Sequence, residues 1–350
     1  MPLSLIDTIG KTSLIKLKLQ EESRASVFAK LEMHNPFGMK DRVAKNMIME
    51  AKKRGELKDG APIVESSSGT LAMGITLVGT YLGHEVNIVT DPRIDRLTYT
   101  KLKALGAKVH IVSEMGQNGG WQQARLDYVY KMIEKNPNIY WPRQYENRQN
   151  PLAYESLAAD LIHELGKVDI LVGSVGSGGS LCGAAAALKT YDPHLKVVAV
   201  DAVGSTIFHQ TDQPARLQGG LGNSLHPPNV DYSLIDEVHW LNDQEAFSWT
   251  WKLARHEKVF AGNSSGSVYA VANWISTVEN SNTVIACIFP DRGDRYANTI
   301  YSEDFLNKYN IDTACLNYNP SHIKEIEDVD MWSYIDFMKG KCLDGKIAVY

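Results

Sequence analysis

Short apolar runs alternate with helical stretches along almost the whole chain, and the loops that join them are rich in glycine and serine. That alternation constrains the fold more than any other feature, because strands separated by helices pair in parallel and need helices over both faces of the sheet. The expected class is α/β with largely parallel, twisted sheets. Two series of units can be separated. In the first, Ile63-Val64 leads into Glu65-Ser66-Ser67-Ser68-Gly69-Thr70, followed by a helix over 71–82, a strand over 86–90, a helix over 99–105 and a strand over 109–112. The second starts near Pro151 with a helix to about Leu165, a strand over 168–172, the loop Gly176-Ser177-Gly178-Gly179-Ser180, a helix from Ser180 and a strand over 197–200. A strand over 237–241, a helix through Trp251 and an apolar run over 283–289 follow. At 350 residues the chain exceeds the size at which one core stops growing, so two lobes with a cleft between them are expected.

The junctions carry the chemistry. In open α/β sheets, ligands collect beyond the carboxyl ends of strands, where helix N-termini offer unpaired N–H groups and partial positive charge. The Gly-rich loop lacks the third glycine of a dinucleotide fingerprint, since Leu181 stands there, and Gly179 occupies the Walker lysine position. Its small residues can converge on a phosphate, with Ser177 and Ser180 adding hydroxyls, or they can be a tight turn for close helix packing. Ser67, Ser68, Gly69 and Thr70 surround the start of the next helix; ordinary N-capping uses one such hydroxyl, and a bound carboxylate uses several. A third junction, Gly262-Asn263-Ser264-Ser265-Gly266-Ser267, opens a helix over 268–278. Lys40 is either a surface lysine or a cleft amine. Asn35-Pro36-Phe37-Gly38 is turn chemistry ahead of a helix near Asp41, and desolvation in a cleft would lower the lysine pKa and favour the nucleophilic amine. An amine, a carboxylate-holding loop and a phosphate-holding loop together suggest a pyridoxal phosphate site.

Composition narrows the partners. A formal net charge of −5, with acidic and basic residues interspersed, provides no basic stripe for nucleic acid. No stretch approaches the roughly 18 apolar residues of a membrane span, and the N-terminus lacks a signal pattern, so a cytoplasmic protein is expected. Cys182, Cys287, Cys315 and Cys342 form no C-x-x-C pair and read as reduced thiols, the first two in the core. The histidines show no metal-ligand spacing, so no metal site is expected. The weakly patterned tail beyond Tyr318 is expected to form a helix or an oligomer contact.

In this order, the residues resemble the fold-type II pyridoxal phosphate enzymes, in particular the cysteine synthase and cystathionine β-synthase group, over about residues 5 to 305. The resemblance implies a large cofactor domain (1–44 plus 151–318), a smaller mobile substrate-loop domain (45–150) and a C-terminal extension (319–350), with the cofactor in the cleft. It makes Lys40 the Schiff-base lysine, Gly176 to Ser180 the phosphate loop, and Ser264 the partner of the pyridine nitrogen. Thr70 stands where the family has an asparagine against the cofactor's phenolic oxygen. Ser67, Ser68, Gly69 and Thr70 match the loop that grips the substrate α-carboxylate, with Gln144 assisting. Gly220 to Ser224 and Pro290 to Tyr296 match two further loops of the family. The implied reaction is β-replacement on L-cysteine or an O-activated L-serine through aminoacrylate, by a homodimer. The alternatives are β-elimination of L-cysteine to sulfide, or a non-enzymatic amino-acid sensor. One residue fewer between Pro36 and Lys40, together with Thr70 and Leu71-Ala72 in place of the usual residues, points to a specialised relative.

Overall fold

The computed structural model of the chain describes residues 3–19, 22–116 and 120–337. In chain order the strands are β1 (Leu14–Lys16), β2 (Ser26–Lys30), β3 (Ile63–Ser66), β4 (Val86–Thr90), β5 (Lys108–Ile111), β6 (Ile170–Ser174), β7 (Lys196–Ala202), β8 (Glu237–Leu241), β9 (Val284–Ile288), β10 (Ser321–His322) and β11 (Ser333–Asp336). The helices are α1 (Lys40–Lys53), α2 (Thr70–Tyr81), α3 (Arg96–Ala104), α4 (Gly120–Lys135), α5 (Gln149–Leu152), α6 (Glu155–Leu165), α7 (Gly179–Tyr191), α8 (Asp243–Lys252), α9 (Asn263–Val278) and α10 (Glu303–Lys308).

The strands form two sheets. One runs β1-β2-β9-β6-β7-β8-β11-β10 and the other β3-β4-β5. The smaller sheet is parallel throughout. So is the run from β2 to β8 in the larger one, with antiparallel pairs where β1 meets β2 and where β11 meets β8. The class is therefore α/β with largely parallel sheets. Every residue of β4 and of β6 is buried, which requires cover on both faces.

Helix burial follows the same logic. α1 repeats Val43, Ala44, Met47, Ile48 and Ala51 on one buried face and ends in Lys52 and Lys53, which suit the negative end of its dipole. α2 is buried continuously from Leu71 to Gly79, so it has no solvent face over two turns. The two helices touch closely: a Cβ on Gly74 would lie 3.0 Å from Ala44 Cβ.

Three departures from the sequence reading have physical causes. The single helix expected over 151–165 is divided into α5 and α6 at the buried Tyr154, where the chain turns to seat α5 on α7. The third junction is not a loop before its helix, because Asn263 to Ser267 form the first turn and more of α9. The extension holds no helix among its described residues: β10 and β11 complete the larger sheet, with Ser333 opposite Trp240 and Asp336 opposite Glu237. Cys182 and Cys287 are buried free thiols and Cys315 is an exposed one, while Cys342 lies outside the described residues. Among the described residues no helix is long and apolar enough to cross a membrane.

Candidate active site

Six segments meet beyond the carboxyl ends of the strands. α1 begins at Lys40, and the turn before it is tied to the segment after β9 by a bond from Met39 N to Pro290 O of 2.9 Å. Gly38 has φ +135°, and a Cβ there would stand 3.2 Å from Pro290 O, 3.4 Å from Thr70 Cγ2 and 3.5 Å from Asp291 Cβ. A side chain would be strained by both backbone and space. The turn thus brings Lys40 to Thr70 and Asp291. Asp41 accepts from Phe37 N at 2.7 Å and fixes the turn's other end.

Lys40 is partly accessible, yet burial of its amine lowers its pKa from the ordinary lysine value; Asp291 opposes that shift and Arg295 adds to it. The neutral amine that nucleophilic chemistry needs is favoured. Asp291 is itself pushed up by burial, against the pull of Arg295. Its Oδ2 accepts from Tyr296 Oη at 2.9 Å and from Arg295 Nη1 at 3.1 Å, while its Oδ1 is buried without a partner.

At the Ser-rich junction, Ser67 N donates to Val89 O at 3.1 Å, which fixes the loop to the end of β4. Gly69 is the N-cap of α2 and no side chain caps that helix, so the neighbouring hydroxyls are not consumed by capping. Ser67 Oγ accepts only a long bond from Gly69 N at 3.4 Å, and Ser68 makes no side-chain hydrogen bond among the described residues. The Arg295 guanidinium reaches to 3.6 Å from where a Gly69 Cβ would be. Arg295 therefore stands between the loop and Asp291.

The Gly-rich junction is closed by contact. Gly178 is left-handed at φ +80°, and its Cβ would meet Val230 N at 2.7 Å; a Cβ on Gly179 would lie 2.1 Å from Asn150 Oδ1. Asn150 Nδ2 donates to Gln144 O at 2.8 Å, and Asn229 Nδ2 donates to the same oxygen at 2.9 Å. One asparagine thus joins the glycine loop to Gln144. On the facing side, Gly220 O is 3.3 Å from where a Gly176 Cβ would be, and a Gly220 Cβ would sit 3.6 Å from Ser264 Oγ and 3.4 Å from Tyr296 Oη. Gly219 N donates to Asn263 Oδ1 at 3.2 Å.

These contacts chain Lys40, Thr70, Asp291, Tyr296, Gly220, Ser264 and Gly176 into one site. Ser180 is nearly buried and makes no side-chain hydrogen bond among the described residues, and Ser177 Oγ has a long contact of 3.5 Å from Asn150 Nδ2. Sequence reading assigned no role to Asn150, Asp291, Arg295 or Tyr296. The spacing of an acid, a base and an aromatic at 291, 295 and 296, directly after an apolar run, was the available signal.

The arrangement fits pyridoxal phosphate. Ser264 has no exposure and its Oγ has no partner, a state that costs about 1–3 kcal/mol unless a ligand completes it, as a pyridine nitrogen would. The Gly176–Gly179 backbone, at the N-terminus of α7, provides the unpaired N–H groups a phosphate needs. Two hollows flank the Ser-rich loop. The larger, about 380 Å³, is lined by Phe37, Thr70, Lys101, Arg292 and Arg295 among others. The smaller, about 200 Å³, is lined by Glu65, Ser66, Arg125, Gln144, Tyr145 and His226 among others. Burial pushes Glu65 up to about 7, although Ser66 N and Trp141 Nε1 donate to it at 2.8 and 3.3 Å.

Comparison with known proteins agrees with this geometry. The model of the family described as pyridoxal-phosphate dependent enzyme matches residues 5–291, and the chain belongs to that family. Its fold is shared with a hydrogen sulfide-producing enzyme from Fusobacterium nucleatum, at 28% identity and a TM-score of 0.78 over 85% of this chain and 100% of that one. It is likewise shared with an O-acetylserine dependent cystathionine β-synthase from Helicobacter pylori, at 28% identity and 0.79 over 86% and 99%. The O-acetylserine sulfhydrylase isoform 3 of Entamoeba histolytica gives 26% identity and 0.79 over 86% and 92%. The protein is a pyridoxal phosphate enzyme.

Behind the site, Asp201, next to the end of β7, has no exposure, and burial pushes its carboxyl up to about 7, opposed by bonds from Ala202 and Ser205. A raised carboxyl means that the folded state holds its proton while the unfolded state releases it. Stability from this group is therefore intact below about pH 4, falls as pH rises, and levels off above about pH 7. Asp201→Asn should remove that slope and gain roughly 2–4 kcal/mol at pH 8 relative to its effect at pH 4. Denaturant melts of both proteins at the two pH values check it, and parallel pH profiles would refute it.

Proposed function

We propose that this enzyme catalyses β-replacement on L-cysteine or an O-activated L-serine. The observation that carries the reading is the Ser67–Thr70 junction: no side chain caps α2 there, so its hydroxyls are available to hold the substrate carboxylate and to close over the site. Replacement needs a loop that keeps water out until the nucleophile arrives; elimination does not. The named activities of the similar structures, at 26–28% identity, support the same chemistry. The bound cofactor supplies the electron sink that makes the substrate Cα proton acidic.

Each residue then has a task. Lys40 holds the cofactor and, once released, takes the proton from Cα at its Nζ. The Gly176–Ser180 loop holds the phosphate, Ser264 faces the pyridine nitrogen, and Thr70 borders the ring. Ser67, Ser68, Gly69, Thr70 and Gln144 bind the α-carboxylate. Residues 1–44 with 151–318 form the cofactor domain, 45–150 the mobile substrate domain and 319–350 an extension; the enzyme acts as a cytoplasmic homodimer.

β-Elimination of L-cysteine is the second reading, favoured by the likeness to the sulfide-producing enzyme. Holoenzyme given cysteine, serine, O-acetylserine or O-phosphoserine, with and without a second thiol, separates the two. Replacement predicts a thioether amino acid as the main product and pyruvate as a minor one. Pyruvate formed at the same rate whether or not the thiol is present would overturn it.

A further inference from the structure

The long connection from β7 to β8 crosses the site, and its residues 219–222 lie between Ser264 and Gly176. Gly222 N donates to Val175 O at 2.8 Å on that inner side. The outer side rests on the C-terminal extension. Gln210, 4% exposed, donates from Nε2 to Glu327 O at 2.5 Å and accepts at Oε1 from Val329 N at 3.0 Å. Beside it Thr211 N donates to Asp328 Oδ1 at 2.6 Å. Both poles of one buried amide thus pair with the extension's backbone, as a neighbouring strand would.

The extension is firmly seated. Asn242 Nδ2 donates to Asp330 O at 2.9 Å, Trp332 N to Glu245 Oε1 at 2.8 Å, and the fully buried Trp332 indole to His239 Nδ1 at 3.1 Å. Phe337 packs edge-on against the buried Phe208, with ring centres 5.7 Å apart. From Gln210 the path to the site is short. Thr206 N donates to Asn223 O at 2.8 Å, and Asn223 N donates to Ser205 Oγ at 3.1 Å, immediately after the glycines that face Ser264.

We infer that residues 327–337 act as a strap and that Gln210 is the positioning residue through which the strap holds the 219–223 segment against Ser264 and Gly176. The extension is then a working part of the cofactor site. This assignment depends on the cofactor and not on which substrate is turned over, so it stands or falls separately from β-replacement.

The test uses holoenzyme carrying Gln210→Leu, which keeps most of the volume and removes both bonds. Amide hydrogen exchange at 219–223 should speed up at least about tenfold, while β6 and β9 keep their protection. The dissociation constant for pyridoxal phosphate should rise about tenfold, because only the seated fraction of the segment is competent to bind. Asp328→Ala, at an exposed position, removes the carboxylate from Thr211 N without risk to the core; it should shift both quantities about two- to threefold in the same direction. Unchanged exchange at 219–223 with unchanged cofactor affinity in the two variants would overturn the assignment. Loss of protection spread evenly over β6 and β9 in either variant would do so too, since it indicates general loosening and not positioning.

Discussion

Replacing Lys40 by alanine is expected to lower turnover about a thousandfold or more, whichever substrate the enzyme prefers. Two functions are lost together. On the proposed roles, the amine that anchors the cofactor disappears, and so does the base that takes the Cα proton. The anchoring function is replaced by no neighbour, since Asp291 is a carboxyl bonded to Tyr296 and Arg295, and Arg295 stays protonated under all working conditions. Burial already holds Lys40 toward its neutral form, so arginine at the same position should be nearly as inactive, since it keeps a charge and lacks a free amine. Initial rates of product formation by wild type and both variants measure this. Turnover within about tenfold of wild type would remove Lys40 from the mechanism.

Gly179→Ala should cost about 2–3 kcal/mol of stability and, in addition, weaken cofactor binding. The new Cβ would stand 2.1 Å from Asn150 Oδ1 and 2.6 Å from Asn150 Cγ, so Asn150 must move. Asn150 cannot move freely, because it holds Gln144 O and borders Ser177. The loop proposed to hold the phosphate and Gln144, proposed to bind the carboxylate, are then disturbed by one methyl group. Gly79→Ala is the control, in α2, where the Cβ would meet Val86 Cγ2 at 2.6 Å, away from the loop and from Asn150. Both variants should lose about 3–4 °C in melting temperature. Only Gly179→Ala should also raise the cofactor dissociation constant, and equal affinity in the two would refute the link through Asn150.

The parallel α/β class, the larger strands and the first two junctions were legible in the sequence because they depend on local signals. β4 occupies the span expected for it, 86–90, and α2 begins one residue before its expected start. Long apolar runs and small-residue loops carry their own pattern. What could not be read locally depends on contacts distant in sequence. Gly179 is required by Asn150, 29 positions earlier, and nothing near the glycine announces that neighbour. Asp291 matters because Gly38 and Thr70 come to it across the cleft. β1 at three residues and β11 at four are too short for a period, and β11 exists because the edge of β8 accepts it. The asparagine and serines at 263–267 read as a loop by composition, yet helix packing draws them into α9, leaving Ser264 buried with its hydroxyl unspent.

The central claim is that Lys40 carries the cofactor, and reduction of the resting holoenzyme with borohydride, followed by peptide mapping, tests it most directly. The account predicts one phosphopyridoxyl group per chain, on the peptide containing Lys40. A label on another lysine, such as Lys101 in the larger hollow, with Lys40 unmodified, would contradict it.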